Sequence, residues 1–374
     1  MGKLLALSLC ICAFFLFGCT TAADEPAAEV VEIQSTDTPV PPTAVPPTET
    51  PEPTDTLAPS PTTAPPTETA EPTETPTPTS TLAPTPEPTA TEVPITVIED
   101  IPYIPDGHRK QVLDIYLPPE GEGPFPVLFL IHSVHGEWYG GDKSDFEYTA
   151  EHFANKGYGV ISVNFRISPR YEYPARIEDI ACALAWTHVN GEAYDLDPSF
   201  VVATGASLGA TYAGLMGTID DFAPYLGECS SPVLEGDLVN GVIGFYGAYD
   251  LINESRYANY YPIVKDSMGV SLAEDPDRWL QASPINYIDG SEPPFLLIHG
   301  EDASNEYGIS VIESKDFAIS LEEASVPVKL VLIPGVDKEF LGHVPIWTWE
   351  LDEDGRDAAI EAMELFLADL LEGR

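Results

Sequence analysis

The chain has 374 residues, with 16 Lys+Arg against 61 Asp+Glu and a formal net charge of −45. A surface this acidic repels phosphate backbones, which argues against a nucleic-acid partner and reads as strong solvation of an exported protein. Length alone allows two domains, but half of the 38 prolines crowd into the stretch before residue 100 and no Lys or Arg stands between Lys3 and Arg109, so one folded domain is expected.

Residues 1–18 carry an early Lys and an apolar run too short for an ordinary transmembrane helix, followed by small residues, which is the pattern of an export signal. Leu16-Phe17-Gly18-Cys19 resembles the lipobox of bacterial lipoproteins, and that resemblance makes Cys19 the acylated N-terminus of the mature chain. With about 0.8 kcal/mol per buried methylene, a multiply acylated cysteine would hold the protein at a membrane, outside the cytoplasm. Residues 19–94 are rich in Pro, Thr and Glu and poor in large apolar side chains, so they are read as a disordered linker. Polyproline-like extension at about 3.1 Å per residue would give it a reach on the order of 200 Å. Threonines beside prolines allow O-linked sugars, but a plain spacer needs none.

Residues 95–374 alternate apolar β-rich runs with helical patterns, the signature of an α/β fold with a mainly parallel sheet covered on both faces. Strands are predicted at Lys110–Pro118, Phe125–His132, Tyr158–Phe165, Phe200–Ala206, Val239–Gly247, Pro293–Gly300 and Val326–Pro334. Helices are predicted near 145–155, at Ala175–His188, after Ser207, around 310–324 and at the C-terminus, where Ile360, Met363, Leu367 and Leu370 recur at helical spacing. The stretch 217–237 is a candidate cap. Cys182 and Cys229 are free to pair in an oxidising compartment, although Cys182 within an apolar helix also suits a buried thiol.

Gly205-Ala206-Ser207-Leu208-Gly209 is a G-x-S-x-G pentapeptide between a predicted strand and a predicted helix. A sharp turn there needs little bulk beside the serine, which accounts for the two glycines, and it sets the Ser207 hydroxyl near a helix N-terminus that favours negative charge. The Leu208 N–H is then one oxyanion donor.

From about residue 100 onward the chain resembles the hormone-sensitive-lipase-like and feruloyl-esterase-like carboxylesterases of the α/β-hydrolase superfamily. Ile131–Lys143 (IHSVHGEWYGGDK) is similar to their oxyanion loop, the segment NFRISPRYEYPARIEDIACALAW to the strand and helix that follow, and PPFLLIHGED and VLIPG to the strands leading to the acid and the histidine. Ser133, Val134 and His135 replace part of the usual glycine run, so the resemblance leaves the second oxyanion donor to Ser133 or Gly136. Ala303 stands where the family places its aspartate, one residue after Asp302, which becomes the expected acid with Glu301 and Glu306 as fallbacks. Lys338 stands at the family's histidine position. The family order of nucleophile, acid and histidine leaves His343 as the expected base, the only histidine after Asp302.

The resemblance implies a Ser207–His343–Asp302 triad that hydrolyses small-molecule or carbohydrate esters with no metal and no cofactor. His132, His135 and Asp142 fall in the oxyanion loop and lack zinc-type spacing. A catalytically silent binding lipoprotein, to which Lys338 points, and a prolyl-oligopeptidase-like peptidase are the alternatives, because one scaffold hosts many reactions. Tyr171, Tyr173, Phe245, Tyr246, Tyr260, Tyr261 and Trp347 suit either a substrate pocket or the core.

Overall fold

The computed structural model describes residues 29–30, 94–133, 141–227, 229–231, 238–253, 256, 261–303, 308–335 and 353–374. The signal segment, Cys19 and nearly all of the linker lie outside them, as do Gly136, Glu306, Lys338 and His343. Among the described residues no helix is long and apolar enough to cross a membrane.

One sheet organises the domain. Its strands are β1 (Glu29–Val30), β2 (Thr96–Pro102), β3 (Val112–Leu117), β4 (Phe125–Ile131), β5 (Gly159–Val163), β6 (Leu196–Ala206), β7 (Gly241–Phe245), β8 (Phe295–Gly300) and β9 (Val328–Ile333), in the order β1-β9-β8-β7-β6-β4-β5-β3-β2. Neighbouring strands from β9 across to β5 are parallel, while β1, β2 and β3 pair antiparallel at the two sides. Strands β5, β7 and β8 are buried at every position, the expected result for parallel strands covered on both faces.

Helices α1 (Glu147–Asn155) and α7 (Glu353–Glu372) share one face, tied by His152 Nε2 and Lys156 Nζ, each 2.9 Å from Glu364 Oε1. Helix α3 (Leu208–Thr218) lies on the other. A Cβ at Gly241 of β7 would meet Leu370 of α7, whereas the next residue, Val242, meets Gly217 of α3. Helix α2 (Ala175–Asn190) lies beside α3, and α6 (Val311–Glu323) joins it through Tyr249, stacked on Phe317 at 4.2 Å. Two short helices, α4 (Tyr261–Met268) and α5 (Pro276–Gln281), precede β8.

A disulfide joins Cys182 of α2 to Cys229, beyond α3, across a sequence separation of 47. Closing a loop of that length stabilises the fold by roughly 4 kcal/mol in the chain-entropy view. It pins Cys229, within the stretch 217–237, against α2.

Parallel strands bring their C-terminal ends to one edge. Ile131 lies opposite Gly205, Ala206 opposite Phe245, Phe245 opposite Ile298, and Gly300 opposite Ile333. From β4 the chain proceeds to β5 on one side and β6 on the other, so the loops after β4 and β6 diverge there, the crevice where open α/β sheets bind ligands.

Candidate active site

Ser207 stands at the tip of β6, where strand gives way to helix within one residue. It caps α3 with φ 54° and ψ −124°, close to the mirror image of an extended conformation and strained for a residue with a Cβ. Its N–H is held by Phe245 O at 2.9 Å, which fixes the turn to the neighbouring strand. Space enforces the flanking glycines. A Cβ at Gly205 would lie 2.2 Å from Gly209 O, and one at Gly209 would lie 2.2 Å from Ile131 O and 2.7 Å from His132 O. The helix start is thus pressed onto the end of β4, and Leu208 and Ser133 come to the same place, both buried.

The segment after β4 leaves and returns at that point. A Cβ at Gly141 would fall 1.9 Å from Ser133 O and 2.4 Å from His132 Nδ1, so only glycine lets the loop close on itself. Asp142 caps the following turn, accepts from Lys110 Nζ at 2.6 Å and from Asn164 Nδ2 at 3.1 Å, and shares a capping box with Asp145. Burial works against its charge, but Lys110, Asn164 and the Ser144 N–H prevail and hold its carboxyl well below the usual range. Lys143 pairs with the buried Asp114 at 2.6 Å. The Gly-Asp-Lys run is therefore held firmly from Gly141 onward; residues 134–140, with His135 and Gly136, lie outside the described residues.

His132 is fully buried and stacks on Phe165 at 4.1 Å. Its Nδ1 is 2.7 Å from Ser133 O, which can only accept, so the proton sits on Nδ1 and Nε2 is bare. Burial pushes its pKa down to about 4, so the ring stays neutral. His299 behaves likewise at about 4: Nε2–H donates to Ile309 O at 3.0 Å and Nδ1 accepts from the Ser314 hydroxyl at 2.8 Å. Together with Val311 N–H on Ala303 O, His299 closes the loop that carries the candidate acids. Asp302 and Glu301 stand exposed in the turn after β8, on the same sheet edge as Ser207, while Glu306 and His343 lie outside the described residues. Among the described residues no three His, Cys, Asp or Glu side chains are grouped to hold a cation.

Of the candidate pocket aromatics, Phe245 and Tyr246 are buried, Tyr261 stacks on Trp279 at 5.5 Å, and Tyr171 stands beside Arg166 and Arg170. Tyr173 joins a chain of hydroxyls, 3.2 Å from that of Tyr225, which is 3.5 Å from that of Tyr287. Tyr260 and Trp347 lie outside the described residues.

Sequence reasoning missed Glu313. Ser310-Val311-Ile312-Glu313 has the spacing of a capping box, but the carboxylate crosses to the loop after β7, where Oε2 accepts from the N–H groups of Tyr249 at 2.7 Å and Asp250 at 2.9 Å. Burial raises its pKa to about 7, against the pull of those N–H groups and of Arg256 at 3.6 Å. A carboxyl with a raised folded-state pKa binds more protons folded than unfolded, so its contribution is fullest below pH 4.5 and falls as pH rises through 7. Glu313→Gln is therefore expected to gain stability relative to wild type between pH 5 and 8, by on the order of 2 kcal/mol. Urea midpoints across that range check it, and parallel pH profiles would refute it.

The family model BD-FAE matches residues 113–318. Esterase LipQ of Mycobacterium tuberculosis is 31% identical over 229 residues, 60% of this chain and 52% of that protein. The chain thus spans about half the length of the curated relatives it matches first. Among solved structures, esterase B of Lactobacillus rhamnosis superposes with a TM-score of 0.61 at 20% identity, covering 75% of this chain and 89% of that one. A truncated carbohydrate esterase from gut microbiota gives 0.57 at 22% identity, covering 74% and 98%. With the sheet order, the serine turn and the matched span in agreement, the chain belongs to the BD-FAE family and has the α/β-hydrolase fold.

Proposed function

We propose that this protein is a serine carboxylic ester hydrolase, anchored outside the cytoplasm through Cys19 and the linker, and acting on small or acyl-carbohydrate esters. The observation that carries it is the Ser207 turn: a strained backbone at the sheet edge, two glycines with no room for a Cβ, and a helix N-terminus behind the hydroxyl. Membership of a family with esterase relatives supports the reaction class.

In this reading His343 takes the Ser207 proton as Oγ attacks the ester carbonyl, and Asp302 orients the imidazole, with Glu301 or Glu306 as replacements. The Leu208 N–H and that of Ser133 or Gly136 receive the oxyanion. The alcohol leaves with the proton from His343, and water then releases the acid and restores the serine.

The test uses the purified chain with 4-nitrophenyl butyrate and with an alkyl fluorophosphonate. Turnover above background and one adduct on the Ser207 peptide are expected. No turnover and no adduct would refute the reading and favour a silent binding protein, whereas cleavage of dipeptidyl nitroanilides alone would favour the peptidase.

A further inference from the structure

Arg176 stands in the first turn of α2, just after the chain leaves the sheet edge that carries Ser207. It is 1% exposed, yet among the described residues it makes a single hydrogen bond, from Nη1 to Tyr212 Oη at 3.2 Å. Nε and Nη2 are buried and have no partner among the described residues. Arg166 shows the contrast: it is held by Asp179 through Nε and Nη2, at distances down to 2.7 Å, and by Glu178 and Ala175 O. Both acids that follow Arg176 on α2 thus serve Arg166. Among the described residues no carboxylate is placed on Arg176.

A guanidinium keeps its charge when buried, and each unmet buried donor costs about 1–3 kcal/mol. Nε and Nη2 form the side-on edge of the guanidinium, the fork that takes both oxygens of one carboxylate. The surroundings join this fork to the site. Tyr212 lies one helical turn beyond Leu208, meets Phe165 edge-on at 6.0 Å, and Phe165 stacks on His132, the neighbour of Ser133.

We propose that Arg176 is the anion-recognising residue of the substrate pocket, and that the ester hydrolysed carries a free carboxylate, which Nε and Nη2 bind side-on. This rests on the esterase reading and narrows its substrate class.

The test compares 4-nitrophenyl butyrate with two carboxylated esters, mono-4-nitrophenyl glutarate and 3-(butyryloxy)benzoate, which place the charge on the acyl and the alcohol side. Wild type is expected to favour at least one of them over its uncharged counterpart by 10- to 100-fold in kcat/KM, expressed mainly in KM. Arg176→Gln should abolish that preference and keep activity on the butyrate ester within about threefold, and Arg176→Lys should restore part of it, as a point charge without the fork. In a separate measurement without turnover, millimolar glutarate should raise the melting temperature of wild type and leave Arg176→Gln unchanged.

Absence of any preference in wild type together with no thermal shift by glutarate would overturn the proposal, and so would equal losses on charged and neutral esters in a folded variant. Should Arg176→Gln fail to fold, the wild-type preference and thermal shift decide alone. Loss of all ester turnover in wild type with the glutarate shift intact would sink the esterase reading and keep the anion site.

Discussion

Ser207→Ala is expected to lower turnover of 4-nitrophenyl butyrate by about 10³- to 10⁶-fold, the range seen when a serine hydrolase loses its nucleophile. Stability should barely change, because alanine keeps the Cβ and hence the strain at φ 54° and ψ −124°. Glycine separates the two roles of the position. It enters this conformation freely, so Ser207→Gly should release strain of order 1–3 kcal/mol, less the entropy of the freer unfolded chain. The glycine variant is thus expected to be as inactive as the alanine variant and about 1 kcal/mol more stable. Kinetics on the butyrate ester and urea midpoints of the three proteins read both effects. An alanine variant that retained activity would remove Ser207 from the chemistry, and a glycine variant less stable than alanine would remove the strain.

Buried parallel strands announce themselves as short apolar runs, which is why β4, β5, β7, β8 and β9 were legible nearly to their ends. β6 starts at Leu196, four residues before the apolar run, because Phe125 and Pro126 pair with Leu196 and Asp197 beyond an irregularity in register. β2 was not legible: it lies at the side of the sheet, mostly exposed, and its charged TVIEDIP carries no strong alternation. Helices α4 and α5 span eight and six residues, too few turns for a periodicity to stand out, although Asp275 as cap and Pro276 in the first turn mark the start of α5.

At the site the pentapeptide was readable because its chemistry is local: one turn, two glycines, one hydroxyl. The acid was not, because Glu301, Asp302 and Glu306 fall within six residues of one another in the sequence and only the path of the chain can choose among them. Arg176 and Glu313 were hidden for a different reason. Each sits in an amphipathic helix, where a charge normally faces water, and nothing in the spacing reports that Arg176 and Glu313 point inward, 1% exposed each.

Gly209→Ala is the second change expected to have a large effect, through backbone contact alone. The added methyl would lie 2.2 Å from Ile131 O and 2.7 Å from His132 O, and neither atom can rotate away as a side-chain tip would. Either α3 retreats from β4 or the end of β4 bends. Both moves displace Leu208 relative to Ser133, which with Gly136 is one of the two candidates for the second oxyanion donor, and a misplacement of about 1 Å in such a site costs on the order of 100-fold in rate. Overpacking on this scale also costs about 1–3 kcal/mol or more. The variant should therefore lose at least 100-fold in kcat/KM together with a lower melting temperature. Gly191→Ala is the control: φ there is −55° and the nearest atom to its Cβ is a Leu196 side-chain carbon at 3.4 Å, so activity and melting should match wild type. If Gly209→Ala kept wild-type kcat/KM, α3 and β4 would not be in the contact described, and the placement of Ser133 beside the serine turn would fail with it.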